Sequence, residues 1–195
     1  MTQLYFVRHA QPDYRTGDNS TFPLSDEGRQ DRLQAAKVLQ AIRFDAAVSS
    51  PYRRSLETIQ PIIEQQHLPL TTDIRLRERD NNGGSSNTHE MFRKRWADFD
   101  FREEGGESLR STMTRNIEAL WDILENYEGK TILIGTHGTA LATIIHYFEP
   151  SYGYEAFLRI IDFMPYVLRM DFDGRQLLQR EELLYVHKAF HGVKA

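Results

Sequence analysis

Three places in this chain set basic or imidazole side chains directly behind a short apolar run. Arg8 and His9 follow Leu4 to Val7, the Arg53-Arg54 pair follows Ala46 to Val48 by way of Ser49 and Ser50, and His137 follows Thr131 to Gly135. Two arginines and two histidines gathered together suit a tetrahedral dianion. Guanidinium forks match phosphate oxygens, and each charge-assisted hydrogen bond contributes roughly 1.5–3 kcal/mol. A carboxylate ligand would not require so much positive charge. With no cysteine and no GxSxG turn, the nucleophile left is a neutral imidazole, able to attack phosphorus while its other ring nitrogen donates to a backbone acceptor. The leaving alkoxide then needs a proton. Glu78 is the candidate donor, at the end of a strand expected over Leu70 to Leu76, where burial and phosphate charge would favour its protonated form.

Those residues need elements that deliver them to one place. The three apolar runs are short, partly β-branched and bounded by turn or cap residues, the pattern of strands buried on both faces of a parallel sheet. Such sheets bind ligands at the carboxyl ends of their strands, where the strand order reverses. Ser25 is the expected N-cap of a first helix, with Asp26 and Glu27 in its first turn and Leu33, Ala36, Val38, Leu39 and Ile42 as its apolar face. A second helix is expected from about Tyr52 to Gln66, with Pro61 as a kink or a new start, and a third from Ser108 to Tyr127, stopped at Gly129. Residues 138–148 return to helix, and helix N-termini after Ser50 and Gly138 would offer backbone donors to the same anion. Tyr166 to Phe172, the Asp173-Gly174 turn and Gln176 to Tyr185 read as a hairpin at a sheet edge. The alternation predicts a three-layer α/β/α sandwich with a mainly parallel central sheet.

Composition sets the outer bounds. The 195 residues fit one domain, and neither an internal repeat nor a linker rich in Pro, Gly or Ser divides them. Residues 79–107, polar and glycine-rich and then charged and aromatic, read as a loop or lid. Without cysteine there are no disulfides, thiolate zinc sites or iron-sulfur clusters. The net charge of -4 carries no broad basic field, so no nucleic-acid partner is expected. No apolar stretch approaches the roughly 20 residues of a membrane span, and no signal peptide is seen, which reads as a soluble cytoplasmic protein without a membrane partner. The residues carry no signature of an oligomeric state.

The ordered segments resemble the histidine phosphatase superfamily, also called phosphoglycerate mutase-like. FVRHAQ is similar to its RHG segment, PLSDEGRQ to the element opening its first helix and SSPYRRSLET to its second-arginine segment. LRERDNNG is similar to its acid segment, GGESLRSTMTR to its GES element and LIGTHGTAL to its second-histidine segment. The resemblance runs in family order from residue 4 to about 145. It implies that His9 is the phosphorylated nucleophile, that Arg8, Arg54 and His137 bind the phosphoryl group, and that Glu78 donates the proton and later activates water. Arg54 matches the family arginine by its place before Ser55, leaving Arg53 to face outward. The chain departs from the family at Ala10, usually glycine, at Gln11, usually acidic, and at Arg15, where the mutases often carry Asn.

The expected activity is therefore metal-independent and cofactor-free hydrolysis of a small phosphorylated metabolite through a phosphohistidine. A phosphoglycerate mutase is the alternative, disfavoured because residues 79–107 are short for a segment that closes over substrate. A non-catalytic phosphate-binding module is the third reading, opposed by the presence of all five groups. Other features have plainer explanations. Arg93, Lys94 and Arg95 read as the wet face of an amphipathic helix rather than as contacts to a substrate tail. Glu107 and Ser108 fit a helix N-terminus as well as a substrate role. His187 and His191 have helical metal-pair spacing but no third ligand, and His67, His89 and His146 lack partners in the sequence. The Gly83-Gly84 pair lacks the strand and helix of a phosphate loop. Phe92, Trp96, Phe99 and Phe101, with Tyr14 and Phe22, are candidates for an aromatic rim or for core.

Overall fold

The apolar runs behind the basic residues become neighbouring strands. The computed structural model describes residues 1–82 and 87–188, so Gly83, Gly84 and His191 lie outside the described residues. The elements are Thr2–Arg8 (β1), Asp26–Leu39 (α1), Ala46–Ser49 (β2), Arg53–Gln66 (α2), Leu70–Thr72 (β3), His89–Ala97 (α3), Leu109–Asn126 (α4), Thr131–Thr136 (β4), Gly138–Phe148 (α5), Tyr154–Ile161 (α6), Phe163–Asp173 (β5) and Gln176–His187 (β6). One sheet carries the strands in the order β3-β2-β4-β1-β5-β6. β1, β2, β3 and β4 are mutually parallel, and β5 alone runs against its neighbours β1 and β6.

Strand geometry sends alternate side chains to opposite faces, and both faces are covered. Leu4, Phe6, Ile132 and Ile134 enter a core shared with α3, α4, α5 and α6, while Tyr5, Val7 and Leu133 enter a second core built with α1 and α2. This is a three-layer α/β/α sandwich. Because β4 lies between β2 and β1, with Ser49 opposite Gly135 and Arg8 opposite Thr136, the chain leaving those three strands emerges at one sheet end.

Three details differ from the sequence reading. The strand expected over Leu70 to Leu76 stops at Thr72, because the Asp73 carboxylate accepts from the Arg75 N–H at 2.8 Å and turns Ile74–Leu76 into a 3-10 helix. In α1 the helix and its Ser25 cap stand, but Gly28, Ala35 and Leu39 are buried while Leu33 and Val38 are 50% and 40% exposed. The helix lies down on its smaller residues. The described part of residues 79–107 includes a helix, α3, and α6 was not anticipated in the stretch before the hairpin.

Candidate active site

His9 sits in the first turn beyond β1 and is 3% exposed. Its Nδ1 lies 2.8 Å from the Ala10 carbonyl, which can only accept, so Nδ1 carries the proton and Nε2 keeps a lone pair. Two contacts fix this turn. The Ala10 N–H donates to Thr58 Oγ1 at 2.9 Å, and that hydroxyl donates to the Arg54 carbonyl at 2.7 Å, tying the nucleophile's loop to α2. From the other side Gly28 packs on Gln11 so closely that a Cβ would stand 2.1 Å from the Gln11 carbonyl oxygen. Only glycine fits there.

His137 caps the start of α5 and is fully buried, its ring centroid 5.3 Å from that of His9. Its Nε2 is 2.7 Å from Ser50 Oγ. The Tyr52 ring stands edge-on to it at 5.3 Å, and the Arg54 guanidinium carbon lies 5.2 Å from the Tyr52 centroid. Burial first, and then the Arg54 charge, hold both imidazoles well below the ordinary histidine range, so both are neutral.

Arg8 and Arg54 are each 3% exposed. Arg8 Nη1 donates to the carbonyls of Ile160, Ile161 and Phe163. Arg54 Nη1 donates to the Asn19 carbonyl and Nη2 to Asn19 Oδ1 at 3.2 Å. Arg53 turns outward to Glu57 at 2.6 Å and lines a separate cavity of about 590 Å³ with Leu56, Ile63 and Leu70. Arg8 Nε, Arg54 Nε and His137 Nδ1 are buried without a hydrogen-bond partner, a demand that an anion's oxygens would meet.

Glu78 is half-buried and faces the same end of the sheet. Its Oε1 accepts from the N–H groups of Arg79 at 2.9 Å and Ala140 at 3.0 Å, and Oε2 from Thr139 at 3.0 Å. Two of the α5 donors expected to serve an anion therefore serve Glu78 instead. Behind it, Arg115 on α4 donates to the carbonyls of Arg75 (2.5 Å), Arg77 (2.7 Å) and Glu78 (3.1 Å). The same guanidinium pairs with both Glu107 oxygens at 2.8 Å, and Glu107 also accepts from Arg77 and from the Asp80 N–H. Glu107 thus fastens both ends of the 79–107 segment, while Ser108 is the α4 cap. Arg115 and Thr58 escaped the sequence reading because their contacts are to backbone and, for Arg115, to a carboxylate brought in by the fold, which residue type does not announce.

Tyr14 and Asn19 are further neighbours. Tyr14 is 42% exposed as a residue, yet its hydroxyl end is desolvated beside Arg8, Arg54 and Glu78; burial raises it above the ordinary phenol range and the two arginines oppose that. Asn19, not residue 15, brings an amide to Arg54, while Arg15 points to solvent and pairs with Asp13 at 2.8 Å.

Several expectations need correction. Arg95 is not on a wet face: it is 2% exposed, bonded to Glu103 and to Asn87 Oδ1, because a guanidinium is tolerated inside when a carboxylate meets it. Arg93, over the Tyr154 ring, and Lys94, paired with Glu90, do stay outside. Phe92 is core, packed on Phe157, while the half-buried Trp96 and Phe99 pack on Phe157 and His146, and Tyr14 and Phe22 pair edge-on at 5.3 Å. His187 ends β6, and His191 lies outside the described residues. Among the described residues no group of three or more His, Asp or Glu could hold a metal, and no helix is long and apolar enough to cross a membrane.

Known proteins are similar to this chain in sequence and fold. The 2,3-bisphosphoglycerate-dependent phosphoglycerate mutase of Afipia carboxidovorans is 30% identical over 169 residues, covering 75% of this chain and 80% of its own. The protein named uncharacterized phosphatase PhoE of Bacillus subtilis is 26% identical over 149 residues, covering 74% and 76%. Bacillus stearothermophilus YhfR superposes with a TM-score of 0.75 at 26% identity, over 100% of this chain and 98% of its own. A family model described as histidine phosphatase superfamily (branch 1) matches residues 4–177, which take in Arg8, His9, Arg54, Glu78 and His137. The chain belongs to the histidine phosphatase superfamily.

Proposed function

We propose that this protein hydrolyses a small phosphomonoester through a phosphohistidine on His9. The observation that carries the reading is the fixed His9 ring: Nδ1–H is committed to the Ala10 carbonyl, so the Nε2 lone pair is the free nucleophile, beside three buried nitrogens that lack partners. In the first step Nε2 forms the N–P bond as the P–O bond to the leaving group breaks, and a protonated Glu78 gives its proton to that oxygen. In the second, Glu78 takes a proton from water as the water oxygen attacks phosphorus, and phosphate leaves with His9 neutral again. Arg8, Arg54 and His137 hold the equatorial oxygens throughout, which stabilises the charge of the transition state.

A mutase reading draws support from the activity named for the Afipia relative. The charge balance here favours hydrolysis. A phosphoglycerate brings a carboxylate that needs its own cation, and Arg15, Arg77, Arg79, Arg95 and Arg115 are each paired with a carboxylate of the chain itself. The protein is expected to act on its substrate without a metal or cofactor and in the cytoplasm. Rapid quenching with labelled substrate tests the mechanism: label on His9, stable to alkali and lost in acid, is the expected result, and label on serine would overturn it. Exchange between 2- and 3-phosphoglycerate faster than phosphate release would favour the mutase.

A further inference from the structure

We infer that Ser50 is a positioning residue that sets the tautomer of His137, donating its hydroxyl proton to Nε2 so that the ring presents Nδ1–H to the phosphoryl group. The inference rests on the phosphoryl site proposed above and adds a residue to it.

The argument is one of proton counting. His137 is fully buried and neutral, so its ring holds a single proton shared between two nitrogens. Nε2 lies 2.7 Å from Ser50 Oγ, and Nδ1 is buried with no partner. If Nε2 carried the proton, the only ring atom left for an anion would be the Nδ1 lone pair, which repels phosphate oxygens. A useful His137 must therefore receive a hydrogen bond at Nε2. Ser50 can supply it, because a hydroxyl has one proton and two lone pairs, and one lone pair already accepts from the Tyr52 N–H at 3.2 Å.

Ser50 is also held still. It is fully buried, its N–H donates to the Gly135 carbonyl at 3.0 Å, and its own carbonyl accepts from Ser49 Oγ at 2.8 Å. The hydroxyl is thus fixed between β2 and the start of α5, with Tyr52 on one side and His137 on the other. The groups whose charge acts on His137 are Arg54, His9, Arg115 and Arg8, which all disfavour an imidazolium, with Tyr52 edge-on to the ring, while both oxygens of the nearby Glu78 carboxylate accept from the Thr139 and Ala140 N–H groups. A second ring proton is not available to replace the serine's contribution.

The test is histidine nitrogen-15 NMR on the whole protein with inorganic phosphate as the probe, for wild type, Ser50→Thr and Ser50→Ala. With phosphate bound, wild type and Ser50→Thr should show His137 protonated at Nδ1 and hydrogen-bonded as an acceptor at Nε2. Ser50→Ala should lose the acceptor signature at Nε2 and bind phosphate about tenfold more weakly. A phosphate-bound wild type protonated at Nε2, or at both nitrogens, would overturn the inference while leaving the phosphoryl site intact. Equal phosphate affinity in Ser50→Ala and wild type would do the same. If phosphate shifts neither His9 nor His137 in the wild type, the site itself fails and the inference with it.

Discussion

Gly138 lies directly against the Arg8 guanidinium: a Cβ at Gly138 would stand 3.0 Å from Cζ and Nε and 3.1 Å from Nη2. A lone arginine would swing aside, but Nη1 is held by three backbone carbonyls. Gly138→Ala therefore displaces Arg8 within its site without emptying any core. The expected result is a fall of roughly 10–100-fold in kcat/KM on a phosphomonoester, from misplacement of a group that must meet the transition state. Far-ultraviolet circular dichroism and the thermal midpoint should change little.

Acid should weaken the fold before the carboxylates titrate. His9 and His137 are both held well below their unfolded value near 6.5 by burial and by Arg54. Below about pH 6.5 the unfolded chain binds protons that the folded chain refuses, so the stabilisation is present above that pH and is lost as pH falls towards the folded values. Each histidine contributes a slope of about 1.4 kcal/mol per pH unit. Urea unfolding between pH 5 and 6.5 should show this slope, and His137→Asn should remove about half of it.

Glu107→Gln should damage stability and turnover together. Burial raises Glu107, but the Arg115 hydrogen bonds and charge outweigh it and leave the carboxyl below the usual range. Removing that charge leaves Arg115 and Arg77 uncompensated in a half-buried place. The expected loss is about 2 kcal/mol, less than for fully buried pairs because water reaches the site. It should appear in urea unfolding, with a lower kcat as the Glu78 backbone loosens. A Glu107→Gln enzyme with unchanged kcat would show that Arg115 holds the segment alone.

Chelation should leave turnover unaltered, since Arg8, Arg54 and His137 supply the charge and donors that a metal would otherwise bring. The measurement is phosphate release before and after treatment with EDTA. Loss of activity, restored by a divalent ion, would contradict the mechanism.

Much of this was legible in the residues. Arg8, His9, Arg54 and His137 follow buried strands or their turns, and a parallel sheet leaves such residues at one end, so apolar run plus polar follower located them. Less visible was anything decided by tertiary contact. The orientation of α1 depends on how closely Ala35 and Gly28 let it approach, not on where Leu33 and Val38 stand. Arg93 and Arg95 are two residues apart and so lie on opposite faces of one helix, and which face turns inward, to Glu103 and Asn87, is settled by tertiary contact. Glu78 was placed at a strand end, yet the strand closes at Thr72 and the Arg115 contacts to three carbonyls carry the chain onward from there.

Glu103 joins Arg79, next to the proposed acid, to Arg95 in the last turn of α3, and burial is outweighed there by the Arg95 hydrogen bonds, leaving its carboxyl at about 2. Replacing the chain that leads up to Glu103 and Glu107 would thus cut into the mounting of the proposed acid. A replacement that keeps Glu103, Glu107 and a basic residue at position 95 preserves that mounting, whereas one matched only for length does not.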